Sequence, residues 1–207
     1  MDSGNIGFVL ICAAFVFVMT PGLAMFYGGL VRKKNVVNTM MTSIFIIGIG
    51  IVMWVLFGYS LSFAPSGNAF IGDFRWLGLE GVSLTEGYTD DASIPNMVFS
   101  AFQMMFAVIT PALITGAVAG RMKFKSIFVF TIFWSLIVYY PLAHMVWGQG
   151  GLLGADGIGA LDFAGGDVVH ISSGVSALVL CILLGKRHDY EHSIYRIHNI
   201  PTVVLGA

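Results

Sequence analysis

The residues of this chain best suited to handle a cation or a proton lie in one stretch, residues 143–174. This stretch contains His144, Trp147, Asp162 and His170, with a glycine-rich link in its middle and an apolar run after it. Ionisable groups at the mouth of a hydrophobic span are costly to desolvate, so such groups are functional by default. An indole face attracts cations, and an imidazole exchanges protons near neutral pH. The sequence therefore predicts a functional site in this stretch.

Composition identifies the class of protein before any motif is considered. Hydrophobic residues make up 57% of the chain and charged residues 10%, whereas a soluble domain has roughly 25% charged residues. So few charges could not cover a globular surface, and an integral membrane protein is predicted. The net charge of -1 includes no basic block for nucleic acid. Cys12 and Cys181 fall in apolar stretches and are interpreted as small buried hydrophobic residues rather than disulfide or metal ligands.

Five apolar stretches are long enough, or nearly so, to cross a bilayer core, which takes about 20 helical residues. The first lacks the positive region of a cleavable signal peptide, so we expect it to be retained as a span. The chain is predicted to be an all-α integral membrane protein, with residues 1–207 forming one transmembrane domain. The predicted spans cover residues 6–30, 38–63, 94–119, 126–147 and 162–185, with a sixth from about 200.

Basic residues predict the orientation, because they concentrate in cytoplasmic loops. Nine of the ten Lys and Arg residues follow spans one, three and five, and only Arg75 lies in the opposite loops, where the acidic residues concentrate. We therefore expect the N-terminus to be extracytoplasmic. The nine basic residues are Arg32, Lys33, Lys34, Arg121, Lys123, Lys125, Lys186, Arg187 and Arg196. The acidic residues of these opposite loops are Asp73, Glu80, Glu86, Asp90, Asp91 and Asp156.

Two further features concern the arrangement of the spans. The one long connection, residues 64–95, is either a partly ordered cap or a mobile segment. An odd number of spans followed by the start of another predicts half of a larger architecture. Many transporters pair two halves of opposite topology, with the site between them, so we expect part of the site to lie outside these residues.

Several segments carry motifs of a known family. They read MTPGLAMFYGGLVRKKNVVN at residues 19–38, FQMMFAVITPALITGAVAGRMKF at 102–124, AHMVW…LDFAGGDVVHISSG…GKR within 143–187, and HNIPTVVLGA at 198–207. Together they closely resemble the ammonium transporter family, which includes methylammonium permeases and Rhesus proteins. The resemblance implies half of an eleven-span inverted-repeat fold, a homotrimer, and one narrow apolar pore per subunit.

The resemblance also implies that ammonium crosses the pore by way of deprotonation. A bare cation in a low-dielectric medium faces an idealised solvation cost of order 20 kcal/mol, most of which neutral ammonia avoids. Trp147 matches the outer recruitment aromatic, although position alone favours an interfacial belt tryptophan. Phe102 and Phe106 are four residues apart and share a helix face. Phe106 matches the gating aromatic, and ordinary packing is the alternative reading of this pair.

The remaining matched residues are polar. Asp162 is expected to accept N–H groups at the head of span five and to organise the outer vestibule; direct binding of the ion is the alternative. His170 matches the first of two pore histidines and is expected to act as a proton relay. Gln103 is expected to make a helix-to-helix hydrogen bond. Gln149 interrupts a glycine run that the family pattern leaves uninterrupted, so we expect an altered loop shape there.

The resemblance thus implies an ammonium transporter in the cell membrane, without a cofactor and with a cytoplasmic PII-type protein as a regulatory partner. An ammonium sensor of the same fold, controlling a cytoplasmic signalling domain, is the alternative. A Rhesus-type gas channel is disfavoured because Trp147 is present. An intramembrane protease is disfavoured because Asp162 and Asp167 lack the GxGD arrangement, and a retinal protein would need a lysine in mid-span.

Overall fold

A computed structural model describes residues 1–65, 67–155, 157–187, 190 and 196–207. Asp156, one of the acidic residues used to predict orientation, lies outside the described residues. Five long helices are apolar enough to cross a membrane, and a short helix follows them. The helices are α1 (Ser3–Leu30), α2 (Lys33–Phe63), α3 (Asn96–Val118), α4 (Phe124–Trp147), α5 (Gly166–Leu184) and α6 (Ile200–Gly206).

These helices confirm the predicted fold class, all-α with five spans and the start of a sixth. Their ends differ from the predicted span limits by up to five residues, most at the start of α2, where a 3₁₀ turn (Lys33–Asn35) precedes the α-helical part. The bundle has two ends. The loop end carries the starts of α1, α3 and α5, and the basic end carries the basic residues that follow α1, α3 and α5.

Capping residues explain where α1 and α6 begin. The Asp2 carboxylate accepts the N–H of Asn5 at 2.8 Å and so caps α1, as expected for an acidic residue at that position. The Asn199 side chain accepts the N–H of Thr202 at 3.1 Å at the start of α6. Pro201 follows in the first turn of α6, where a missing N–H costs nothing.

Three of the long helices contain a π-helical turn: Trp54–Gly58 in α2, Ser135–Tyr139 in α4 and Gly166–Ile171 in α5. Such turns are rare and often occur at functional sites. The first contains Gly58, whose lack of a side chain allows a close approach between helices, because a Cβ there would lie 2.7 Å from Cζ of Tyr140. The third contains His170 and begins α5 at the loop end.

The core is densest near the loop end, where aromatic side chains of α2 and α4 meet. Trp54, Tyr59, Phe63, Tyr139 and Tyr140 are all fully buried there. The indole N–H of Trp54 donates to α3, so the only polar atom of that ring is satisfied inside the core. The aromatic core therefore fixes the ends of α2, α3 and α4 that surround the candidate site.

Residues 64–95 are here called the loop cap, and their described part, 64–65 and 67–95, covers the loop end. The N–H of Gly72 donates to the carbonyl of Leu61 at 2.7 Å, and the N–H of Asn96 donates to the carbonyl of Glu86 at 2.8 Å. The second bond satisfies an N–H group of the first turn of α3, which has no partner within the helix. Of the two alternatives for this connection, these hydrogen bonds support the partly ordered cap.

Candidate functional site

A cavity of about 610 Å³ opens at the loop end, between α3, the end of α4, the loop cap and the segment before α5. The four residues predicted to recruit the ion, from three separate parts of the chain, all line it. Six further residues complete its wall. The full lining is Tyr88, Phe99, Phe102, Gln103, Phe106, Trp147, Asp162, Phe163, Ala164 and Gly165.

Two phenylalanines of α3 form one side of the cavity. The rings of Phe102 and Phe106 meet edge to face, with centroids 5.1 Å apart and planes at 85°. This arrangement is favourable for an aromatic pair, and it follows from the four-residue spacing on a helix. Both rings are half-buried, so part of each is available to whatever occupies the cavity.

Trp147 and Asp162 are joined directly. The indole N–H of Trp147 donates to the backbone carbonyl of Asp162 at 3.1 Å. The Asp162 carboxylate accepts the backbone N–H groups of Gly166, Asp167 and Val168 at 2.6, 3.0 and 3.0 Å. The predicted binding of N–H groups at the head of span five is thereby confirmed. Because its oxygens are engaged with the backbone, the carboxylate positions α5 and the indole.

His170 lies apart from this group. It is in the π-helical turn of α5, it is exposed, and it is not among the residues that line the cavity. Ile171, Val175 and Leu178, on the same helix, are 57%, 55% and 60% exposed. The structure therefore brings together four of the five predicted site residues and leaves the fifth on an exposed, mainly apolar face.

Two polar side chains in or near the cavity, His144 and Gln103, are buried at least in part. His144 is buried, and its ring nitrogens face the carbonyl oxygens of Ser62 at 3.1 Å and Asn68 at 2.8 Å, so it ties α4 to the end of α2 and to the loop cap. The amide oxygen of Gln103 is buried and has no hydrogen-bond partner in the described part of the chain. The predicted helix-to-helix hydrogen bond is therefore not made by that atom.

Tyr88 is one of the cavity residues that sequence reasoning missed. Its backbone lies in the loop cap, 61 residues before Gln149, whose N–H donates to the phenol oxygen. Burial raises the pKa of Tyr88 to about 12, and the hydrogen bond from Gln149 partly opposes that rise. The phenol is therefore neutral at physiological pH. No motif links Tyr88 to Trp147, so only the folded chain reveals that they share a cavity.

At the basic end, the Arg121 guanidinium donates to the carbonyl of Gly185 at 2.9 Å and to Sγ of Cys181 at 3.5 Å. Cys12 and Cys181 are both free thiols and are only partly buried. Their interpretation as small hydrophobic residues of apolar spans stays a prediction.

Comparison with known proteins shows what this architecture is similar to. The sequence profile of the Ammonium Transporter Family matches residues 7–207. An ammonium transporter of Bacillus subtilis is 52% identical over 207 residues, which is 100% of this chain and 50% of the relative. Ammonium transporter Amt1 of Archaeoglobus fulgidus is 39% identical over 207 residues, again 100% of this chain and 50% of the relative.

Solved structures agree with the sequence comparison. The crystal structure of Candida albicans Mep2 matches with a TM-score of 0.86 and 33% identity, over 100% of this chain and 45% of that one. A structure described as Sensor Amt Protein matches with a TM-score of 0.81 and 28% identity, over 98% of this chain and 50% of that one. The chain spans about half the length of the curated relatives it matches. It is a multi-pass membrane protein, and it belongs to the Ammonium Transporter Family.

Proposed function

We propose that the full-length protein with this sequence transports ammonium across a membrane, and that the loop-end cavity recruits the cation. One observation carries the proposal: Phe102, Phe106, Trp147 and Asp162, from α3, α4 and the segment before α5, line a single cavity. The family match over residues 7–207 supports ammonium as the substrate. The aromatic wall supports a cation as the bound form.

Recruitment depends on weak, reversible attraction. A cation over an aromatic face gains about 0.5–2 kcal/mol, depending on how much water it loses, which suits a site that must release its ligand. The cavity of about 610 Å³ leaves room for accompanying water. The Asp162 carboxylate, already engaged with three N–H groups, adds a negative charge near the cavity, and we assign it no direct contact with the ion.

Conduction then requires loss of the proton. The solvation cost of moving a bare ion into hydrocarbon, of order 20 kcal/mol in the idealised case, exceeds anything the aromatic wall can repay. We place deprotonation after passage of the Phe106 gate, above the His170 region: the proton passes from ammonium to the neutral His170 imidazole, and ammonia continues inward. We further assign His170 to the conduction path as a proton relay. Its exposed position on α5 fits a pore whose facing wall comes from another part of the full-length protein.

Several broader features belong to the same proposal. Residues 1–207 form one transmembrane domain of a cell-membrane protein, with the N-terminus extracytoplasmic because nine of ten basic residues flank one end of the bundle. We also propose a homotrimer in the lipid bilayer and a cytoplasmic PII-type regulatory partner, both on the basis of the family resemblance. The basic end would then face the cytoplasm.

The test is uptake of radiolabelled methylammonium, and its competition by ammonium, in liposomes that contain the purified full-length protein. Trp147→Leu should raise the half-saturation concentration for ammonium by about 2- to 30-fold, the range that corresponds to the loss of a cation–π contact. Trp147→Phe, which keeps an aromatic face, is the matched control and should lose less. Unchanged saturation in Trp147→Leu would reduce this residue to a membrane-interface anchor.

A second candidate function, ammonium sensing, is favoured by the similarity to the structure described as Sensor Amt Protein, at 28% identity. A sensor would bind ammonium at the same cavity without passing it on. The liposome assay separates the two functions, because a sensor would show ligand binding, measured by calorimetry, without uptake. A signalling domain attached to the full-length protein would also support sensing.

A further inference from the structure

Gln149 connects the end of α4 to the loop cap through two hydrogen bonds to one residue. Its backbone N–H donates to the phenol oxygen of Tyr88 at 3.1 Å, and its side-chain amide donates to the backbone carbonyl of Tyr88 at 2.9 Å. Gln149 thus binds both ends of Tyr88. Only a side chain with a donor at this reach can make the second bond, and the neighbouring Gly148, Gly150 and Gly151 have none.

The ring of Tyr88 is fixed from other directions as well. It stacks on Phe99 of α3, with centroids 4.9 Å apart and planes at 8°, and it meets Phe63 of α2 edge to face at 5.6 Å and 90°. Phe63 is fully buried. A residue of the connecting loop is therefore held against two helices and, through Gln149, against the end of a third.

The same ring lines the cavity that contains Trp147. Trp147 is the last residue of α4, and the N–H of Gly148 still donates to the carbonyl of His144 at 2.9 Å, so Gln149 follows the helix closely. The two bonds from Gln149 therefore set the position of the Tyr88 ring relative to the Trp147 indole. Without them, the bonds from His144 to Asn68 and from Asn96 to Glu86 would still attach the backbone of the loop cap, but neither reaches Tyr88 itself.

We propose that Tyr88 is a further aromatic wall of the ammonium cavity, and that Gln149 is a positioning residue that holds this wall in place and thereby favours a small cation. The inference rests on the proposed function, since it names a specificity determinant of the same site. A wall fixed before the ion arrives requires no ordering of the loop cap on binding, and such pre-organisation strengthens binding. A loosened wall would enlarge the cavity and penalise ammonium more than methylammonium.

The prediction is a change in affinity and selectivity with little change in maximal rate. Gln149→Met keeps the length of the side chain and removes its donor, and Tyr88→Phe keeps the ring and removes the phenol oxygen. Each should raise the half-saturation concentration for ammonium by about 3- to 10-fold, the range expected for one lost hydrogen bond. Maximal uptake should be preserved, because neither change touches the Phe102–Phe106 pair or His170.

The experiment compares these variants with the wild type in liposomes containing the full-length protein, using ammonium and methylammonium separately. The double variant should lose less than the product of the two single effects, because both bonds serve one contact. Tyr190→Phe is the matched control: it makes the same chemical change at an exposed tyrosine next to the basic end, outside the cavity. It should behave like the wild type.

Wild-type saturation and selectivity in both Gln149→Met and Tyr88→Phe would overturn the inference while leaving ammonium transport intact. A fall in maximal rate with unchanged half-saturation would also overturn it, since that pattern indicates a role in conduction or in the amount of folded protein. Failure of the wild type itself to take up either cation would instead overturn the proposed function. A lowered ammonium-to-methylammonium selectivity in both variants supports the positioning role.

Discussion

The loop-end cavity and the exposed face of α5 differ in how much of each is complete within this chain. In the most apolar part of α3, which lines the cavity, 50% of residues are buried, against 22% in α5. The cavity draws its wall from four segments of this chain, whereas the face around His170 has little cover. Under the proposed function, one part of the protein builds the recruitment site, whereas conduction needs a second surface.

The polar residue on the exposed face of α5 distinguishes this face from an ordinary lipid-facing surface. Apolar side chains such as Ile171 and Val175 could face lipid without cost, so their exposure alone indicates nothing about a pore. A histidine in the same position is different, because ionisable residues within spans face a protein interior or water. His170 is therefore the residue that makes the face of α5 a candidate pore wall.

Asp162 connects the two regions, and changing it should have the largest effect. Asp162→Ala removes the acceptor for three N–H groups at the start of α5 and disturbs the segment whose carbonyl receives the Trp147 indole. Hydrogen bonds to a charged group contribute about 1.5–3 kcal/mol each, so uptake should fall by a factor of order 1,000 or more. The measurement is ammonium uptake in liposomes, with the yield of folded protein followed by size-exclusion chromatography.

Asp90→Ala is the matched control for that change, since Asp90 is an exposed acidic residue of the loop cap. It should leave uptake and yield at wild-type values. If Asp162→Ala also retained both, the carboxylate would not couple the cavity to α5, and the two regions would have to be treated as independent.

The second-largest effect is expected for a change at His170, which should affect the face of α5 and leave the loop-end cavity unchanged. His170→Ala should lower the ammonium-dependent current across the membrane by a factor of order 100, because a positioned proton carrier is lost. The half-saturation concentration should stay near the wild-type value, since His170 does not line the cavity. Currents are measured on supported membranes, with the exposed His198 at the basic end changed to Ala as the control. A wild-type current in His170→Ala would contradict the relay role.

Sequence predicted the fold well because membrane spans follow from length and hydrophobicity alone. The predicted span limits were least accurate where polar residues and hydrogen bonds, rather than hydropathy, determine where a helix begins. α2 begins five residues before the predicted span, with a 3₁₀ turn of polar residues, and α5 begins at Gly166 because the Asp162 carboxylate binds the first N–H groups there. Hydropathy predicts neither the 3₁₀ turn nor the hydrogen bond to Asp162.

The site could be predicted only as far as its motifs extend. Trp147 and the two phenylalanines were found through segments shared with the family, and the structure places them in one cavity. Tyr88 belongs to no such segment, and its position depends on the stacking with Phe99 and on the bonds from Gln149. Gln149 itself was noticed only as an interruption of glycines. Contacts between residues far apart in sequence require the fold.

The smallest effect is expected for a change at Gln103. It tests whether residues of this chain alone complete the cavity wall. The buried amide oxygen of Gln103 has no partner in the described part of the chain, and such an atom costs about 1–3 kcal/mol. Gln103→Leu removes that cost at similar volume, so the melting temperature of the full-length protein should stay unchanged or rise. The half-saturation concentration should shift by no more than about 3-fold, because the rest of the wall remains.

Met104→Leu, at the adjacent position, controls for repacking of α3. A lower melting temperature in Gln103→Leu alone would mean that the oxygen has a partner in the rest of the protein, and that the cavity, like the face of α5, is completed by a second surface.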